Sequence, residues 1–144
     1  MQKIGVIIPA YNEALSIKKV INKIPSLADE ILVINNGSTD ETQIKAISAG
    51  ATVLNEPRKG YGHACLCGIN YFNNLTKPPE IIVFLDGDYS DYPEDLNEII
   101  KPILEDQIDF VVGSRVKSKR ERGSMTPQQI FGNELASVLM SILY

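Results

Sequence analysis

The chain has 144 residues, 44% of them hydrophobic and 22% charged, with a formal net charge of −4. That is the size and composition of one soluble globular domain spanning 1–144, and it excludes a disordered tail or a repeat array. The negative balance gives no long-range pull on nucleic acid or anionic lipid, so nucleic acid is not expected as a partner and any anion site must be built locally.

Met1-Gln2-Lys3 leads straight into an apolar run, without the charged and apolar regions of a secretory signal. No apolar run reaches the roughly 20 residues that a membrane-spanning helix needs. A cytoplasmic location is therefore expected, with membrane contact at most peripheral. Five short apolar runs follow in order: Ile4–Ile8, Ile31–Ile34, Val53-Leu54, Ile81–Leu85 and Phe110–Val112. They have the length and continuity of strands buried on both faces. Between them, Ala14, Ile17, Val20, Ile21 and Ile24 recur at helical spacing, as do Leu96, Ile99, Ile100, Ile103 and Leu104. Alternating strands and helices predict an α/β fold with a mostly parallel, Rossmann-like sheet flanked by helices.

The punctuation adds detail. Asn12 is placed to cap the first helix, Ser38 and Glu41 have capping-box spacing, and Pro93 suits the first turn of the fourth helix. Thr126-Pro127 would start a last helix, and Pro102 should kink or end the fourth near Ile100-Lys101. Cys65 and Cys67 fall two apart in a helix, point to different faces and cannot share a metal. The last ten residues remain apolar and helical in pattern up to Tyr144, so the natural protein is expected to continue.

Ligands of open α/β sheets bind at the carboxyl ends of the strands, and here all five ends carry polar residues that a core does not need. Asp86-Gly87-Asp88 places two carboxylates one residue apart after a strand, with Ser90 and Asp91 close behind. A hard divalent cation, Mg2+ or Mn2+, would relieve their repulsion and bridge to diphosphate oxygens, although an ordinary acidic turn has the same composition. Tyr11 can flank a planar base, and Asn12 or Glu13 can hydrogen-bond base or ribose. Gly60, with Arg58 and Lys59 nearby, can bring backbone amides of a helix N-terminus to an anion. Arg115, directly after the fifth run, is placed to hold a phosphate.

In order and spacing, Val6–Glu13, Asn36-Gly37-Ser38-Thr39-Asp40, Phe84–Asp88 and Gly113-Ser114-Arg115 resemble the family 2 glycosyltransferases, whose nucleotide-binding fold is called GT-A. The branch most similar contains dolichyl-phosphate mannosyltransferase and other polyprenyl-phosphate glycosyltransferases. The resemblance implies a nucleotide pocket lined by Pro9, Tyr11 and Glu13, with Asn36 in place of an aspartate that contacts the base. It implies a metal-diphosphate site at Asp86 and Asp88, with Ser90 or Asp91 as a further ligand, and an acceptor phosphate facing Arg115. Asn12, Ser38, Lys59, Gly60 and Gly87 complete the candidate nucleotide residues. The implied reaction moves a sugar, with inversion, from a UDP- or GDP-sugar to a polyprenyl phosphate at a membrane surface. Part of the acceptor region would lie beyond Tyr144, so no catalytic base is assigned, and a homo-oligomer stays open. Rival readings are a sugar-1-phosphate nucleotidyltransferase, which lacks support because its glycine-rich loop is absent, and a nucleotide-binding fragment without transfer activity. A dinucleotide-dependent oxidoreductase is disfavoured by the absence of G-x-G-x-x-G after Ile8, and a receiver domain by the absence of an acidic pair there.

Overall fold

The computed structural model describes residues 2–106 and 108–113. The chain divides into two compact units, Met1–Val111 and Val112–Tyr144. The predicted last helix at Thr126-Pro127, the terminal apolar stretch and Arg115 lie outside the described residues, as does most of the second unit.

Four strands form one parallel sheet: β1 (Ile4–Ala10), β2 (Glu30–Asn35), β3 (Thr52–Asn55) and β4 (Ile81–Phe84), in the order β3-β2-β1-β4. β1 is central and buried along its whole length. It pairs with β2 from Gly5↔Glu30 to Ala10↔Asn35 and with β4 from Ile4↔Ile81 to Ile7↔Phe84. The helices are α1 (Ile17–Lys23), α2 (Thr42–Ser48), α3 (Tyr61–Asn73) and α4 (Leu96–Asp106), the last preceded by a 3-10 turn at Pro93–Asp95.

Alternation along β1 sorts the helices between the two faces of the sheet. Ile4, Val6, Ile8 and Ala10 point to a core shared with Ile17, Val20 and Ile21 of α1, Ala46 of α2, and Leu96 and Ile100 of α4. Ile7 points the other way, into a smaller core with Leu32, Ile34 and the α3 residues Ala64 and Phe72. On that second face α3 approaches so closely that two glycines are required. A Cβ at Gly68 would lie 2.7 Å from Ile7 Cγ2, and one at Gly5 would lie 2.7 Å from the Phe72 ring. Gly68→Ala should therefore destabilise the protein by about 1–3 kcal/mol despite its better helix propensity. A chemical denaturation curve for this variant that matches the wild type would contradict the close packing.

Three sequence expectations are corrected. Phe110–Val112 is not a strand: β4 is paired only with β1, and Phe110 and Val112 are exposed. An apolar run becomes a strand only where a neighbour supplies hydrogen bonds, and none is supplied here among the described residues. Of the two outcomes expected at Pro102, a kink or an end, the end does not occur, since α4 continues to Asp106. Leu96 and Ile100 before the proline and Ile103 after it anchor in the same core, while Glu98, whose carbonyl loses its helical partner, is at an exposed position. The capping box is absent too, since α2 starts at Thr42 with no side-chain bond from its N-cap Glu41.

Cys65 and Cys67 are free thiols in α3, and burial pushes both above the ordinary cysteine range. No helix among the described residues is long and apolar enough to cross a membrane.

Candidate functional site

The strand order sets the position of the site. From β1 the chain steps to β2 and β3 on one side, then returns to place β4 on the other side of β1. Connections leaving β1 and β4 therefore diverge, opening a crevice at the strands' carboxyl ends. A cavity of about 270 Å³ occupies it. Pro9, Ala10, Tyr11 and Glu13 enter from the end of β1, Asn36 from the end of β2, and Asp86, Gly87 and Asp88 from the end of β4. Tyr61 and Ala64 of α3 complete the lining. Sequence reasoning did not single out these last two; their signal was only the i, i+3 spacing after Gly60.

The loop after β1 is held by the loop after β2. Asn12 has a positive φ of 57°; its N–H donates to Ser38 Oγ at 3.0 Å, and its Oδ1 accepts the Thr39 N–H at 2.8 Å. Glu13 N–H donates to Thr42 Oγ1 at 2.8 Å, and Ala14 N–H to Asp40 Oδ2 at 3.1 Å. The Thr42 hydroxyl in turn donates to Asp40, which holds the Asp40 carboxyl below the ordinary aspartate range. Asn12 is thus not the cap of α1, which begins after Ser16. Its amide oxygen is bonded to the second loop, and the hydroxyl oxygen of Ser38 accepts from the Asn12 backbone. Neither residue lines the cavity, and neither does Lys59 or Gly60. Asn12, Ser38 and Gly60 instead bond to the loops that carry the lining residues.

The floor near β3 and α3 rests on two buried polar residues. Asn36, 7% exposed, donates from Nδ2 to the carbonyls of Glu56 and Arg58 at 2.9 and 2.8 Å, and its Oδ1 accepts the Gly60 N–H at 2.8 Å. Glu56, 5% exposed, accepts the Arg58 Nε at 2.9 Å, its Nη2 at 2.8 Å and its backbone N–H at 2.9 Å. These bonds, the side-chain ones first, hold the Glu56 carboxyl at about 2, below its ordinary 4.5. A carboxyl depressed in the folded state stabilises the fold fully above its unfolded value, and that contribution is lost as pH falls through the folded one. Stability should therefore drop between pH 4.5 and about 2, and Glu56→Gln, less stable at neutral pH, should show a shallower acid limb. Denaturation midpoints measured across that range would show parallel limbs if the pair contributed nothing.

At the β4 end, Gly87 is buried and packs beside Glu13, whose Cγ would be 3.3 Å from any added Cβ. Asp88 is exposed, and its Oδ1 accepts the Ser90 N–H at 2.8 Å. The Tyr61 hydroxyl reaches Asp86 Oδ1 at 3.5 Å. Burial, and then the charge of Asp86, push that phenol up to about 12, so it stays a neutral donor toward the carboxylate. Tyr89 follows in the left-handed region at φ 63°, with the Lys19 ammonium 3.6 Å from its ring centroid. Lysine on the aromatic face offsets part of the cost of that conformation and fixes the turn against α1. On the far rim the Lys59 ammonium lies 5.7 Å from the Tyr11 ring centroid.

No cluster of three or more acidic, histidine or cysteine side chains that could hold a metal occurs among the described residues. Three carboxylates line the open cavity, Glu13, Asp86 and Asp88; Glu13 accepts the Ser16 hydroxyl at 3.0 Å, and Asp86 and Asp88 share the β4 turn. That pair suits Mg2+ or Mn2+ shared with substrate phosphates, since these ions commonly take one or two carboxylates and complete their shell elsewhere.

The family model described as glycosyl transferase family 2 matches residues 5–142. The chain belongs to glycosyl transferase family 2. Among its relatives in that family, the UDP-N-acetylglucosamine–dolichyl-phosphate N-acetylglucosaminyltransferase of Methanococcus voltae is 31% identical, over 90% of this chain and 59% of that protein. Protein RfbJ of Shigella flexneri is 39% identical, over 78% of this chain and 84% of the other. Glucosyl-3-phosphoglycerate synthase of Mycobacterium tuberculosis, crystallised with Mn2+, UDP and glucosyl-3-phosphoglycerate, superposes with a TM-score of 0.63 at 32% identity. That superposition covers 72% of this chain and 40% of the synthase. The parallel sheet with flanking helices is the GT-A fold of these family 2 transferases, as expected from the sequence. This chain spans little more than half the length of the archaeal relative.

Proposed function

We propose that the crevice binds the nucleoside diphosphate of a UDP- or GDP-sugar with Mg2+ or Mn2+, and that the protein transfers the sugar, with inversion, to a polyprenyl phosphate. The observation carrying this reading is that the Asp86-Gly87-Asp88 turn and the Pro9–Glu13 loop meet in one cavity at the switch point of the sheet. Support comes from the Methanococcus relative, named for a UDP-sugar donor and a dolichyl-phosphate acceptor, and from the synthase structure with Mn2+ and UDP.

In this reading Tyr11, 51% exposed on the rim, flanks the base, and Glu13 reaches the base or ribose edge. Asp86 and Asp88 would hold the cation, with Ser90 or Asp91 adding an oxygen, and the bound ion would supply positive charge against a departing diphosphate. Tyr61 orients Asp86, while Pro9 and Ala64 form apolar walls. A phosphate acceptor is anionic at neutral pH, so its attack on the anomeric carbon requires little help from a base. Arg115 is assigned to the acceptor phosphate on the sequence resemblance, and the protein works at the cytoplasmic face of a membrane.

The test is turnover of radiolabelled UDP- and GDP-sugars with polyprenyl phosphate, with 3-phosphoglycerate as a second acceptor because the synthase relative is named for its glucosylated form. Sugar-phospholipid formation supports the reading. Transfer to 3-phosphoglycerate alone moves the acceptor class, and binding without transfer makes the chain a donor-binding unit only.

A further inference from the structure

Both N–H groups of the Asn36 carboxamide, and one lone pair of its oxygen, are engaged inside the protein. Both of its N–H bonds go to backbone carbonyls, at Glu56 and Arg58, and its oxygen accepts the Gly60 N–H, all at 2.8–2.9 Å. Its own backbone N–H is bonded to the Ala10 carbonyl at 2.9 Å, so the residue is fixed to the end of β1 as well. Only an amide can do this. A carboxylate of the same shape would accept from Gly60 but would turn lone pairs toward two carbonyl oxygens in a buried site.

Gly60 is the N-cap of α3, at φ 124°, and as a glycine it has no side chain of its own to cap the helix. The bond from its N–H to Asn36 therefore sets where α3 begins. The next residue, Tyr61, and Ala64 one turn on are the α3 residues that line the cavity, and Tyr61 reaches Asp86. We infer that Asn36 is a positioning residue: it places the α3 wall of the donor site through the 56–60 loop, and it does not select the nucleobase. The inference rests on the donor-site reading above and deepens it, because it assigns the amide at this position to holding the wall.

The substitution Asn36→Asp tests it in two ways. In the ligand-free full chain, Gly60 amide hydrogen exchange should be slow in the wild type and at least about tenfold faster in N36D. Affinities for UDP and GDP with Mn2+ should both weaken in N36D by about tenfold, with the UDP-to-GDP ratio unchanged. A residue that reads the base would instead change that ratio and leave Gly60 exchange alone, and that result overturns the inference. Exchange of wild-type Gly60 at the free-peptide rate overturns it without a variant, should N36D fail to fold. Failure of the wild type to bind either nucleotide sinks the donor-site reading, and the exchange experiment, which contains no nucleotide, still decides the clamp.

Discussion

Replacing Asp88 by alanine should weaken Mn2+-dependent binding of UDP or GDP by about 10²-fold or more, since even residues one shell out from a metal cost 10–100-fold. The same change should leave the fold nearly untouched, within about 1 kcal/mol, because Asp88 is exposed and belongs to neither core. Its one structural duty is to accept the Ser90 N–H at 2.8 Å. Asp88→Asn separates the two roles: an amide oxygen still accepts that bond, but the charge is gone. If the carboxylate acts through a cation, the asparagine variant binds as poorly as the alanine one. Calorimetric titration with Mn2+ present checks this, and wild-type affinity in Asp88→Asn would assign the residue to the turn alone.

The largest effect on stability should come from Phe72→Ala. Its ring is fully buried and joins Ile7, Leu32, Ile34 and Ala64 in the smaller core. It also fills the space left by the missing side chain of Gly5 and lies 5.6 Å, centroid to centroid, from Tyr71. Truncation leaves a cavity between α3 and β1 that neither the central strand nor its neighbours can close by moving. The expected loss is about 3–5 kcal/mol, a large share of the roughly 5–15 kcal/mol of a typical domain. Urea denaturation reads it directly. A loss below about 1 kcal/mol would mean that α3 is not held to the sheet by this ring.

Much of this architecture was legible in the sequence because the buried strands of a parallel sheet need unbroken apolar runs, and Ile4–Ile8, Ile31–Ile34 and Ile81–Leu85 are such runs. The polar residues at their ends marked the crevice for the same reason: nothing in a core calls for Tyr11 or Asp88. Phe110–Val112 has the same apolar composition as the strands of the sheet, and what distinguishes it is that no pairing partner occurs among the described residues.

Polar residues near helix starts were harder to read. Asn12 and Ser38 have capping chemistry, and both do satisfy backbone or side-chain groups, but each is bonded to the loop of the other, 26 residues away in sequence. Local spacing holds no information about such a partner. The structural duty of Asn36 was hidden similarly, since its side-chain bonds join the end of β2 to the start of α3 across 20 or more residues. Tyr61 was obscured by its neighbour, as Gly60 beside Arg58 and Lys59 suggests backbone amides and an anion. The structure places its hydroxyl against Asp86 instead.

The most direct test of the donor site is calorimetric titration of the wild-type chain with UDP and with GDP, each in Mn2+ and again in excess chelator. Binding of at least one nucleotide in Mn2+, lost in chelator, is the predicted result. Equal affinity in both conditions, or no binding of either nucleotide in Mn2+, would contradict a metal-diphosphate site at Asp86 and Asp88.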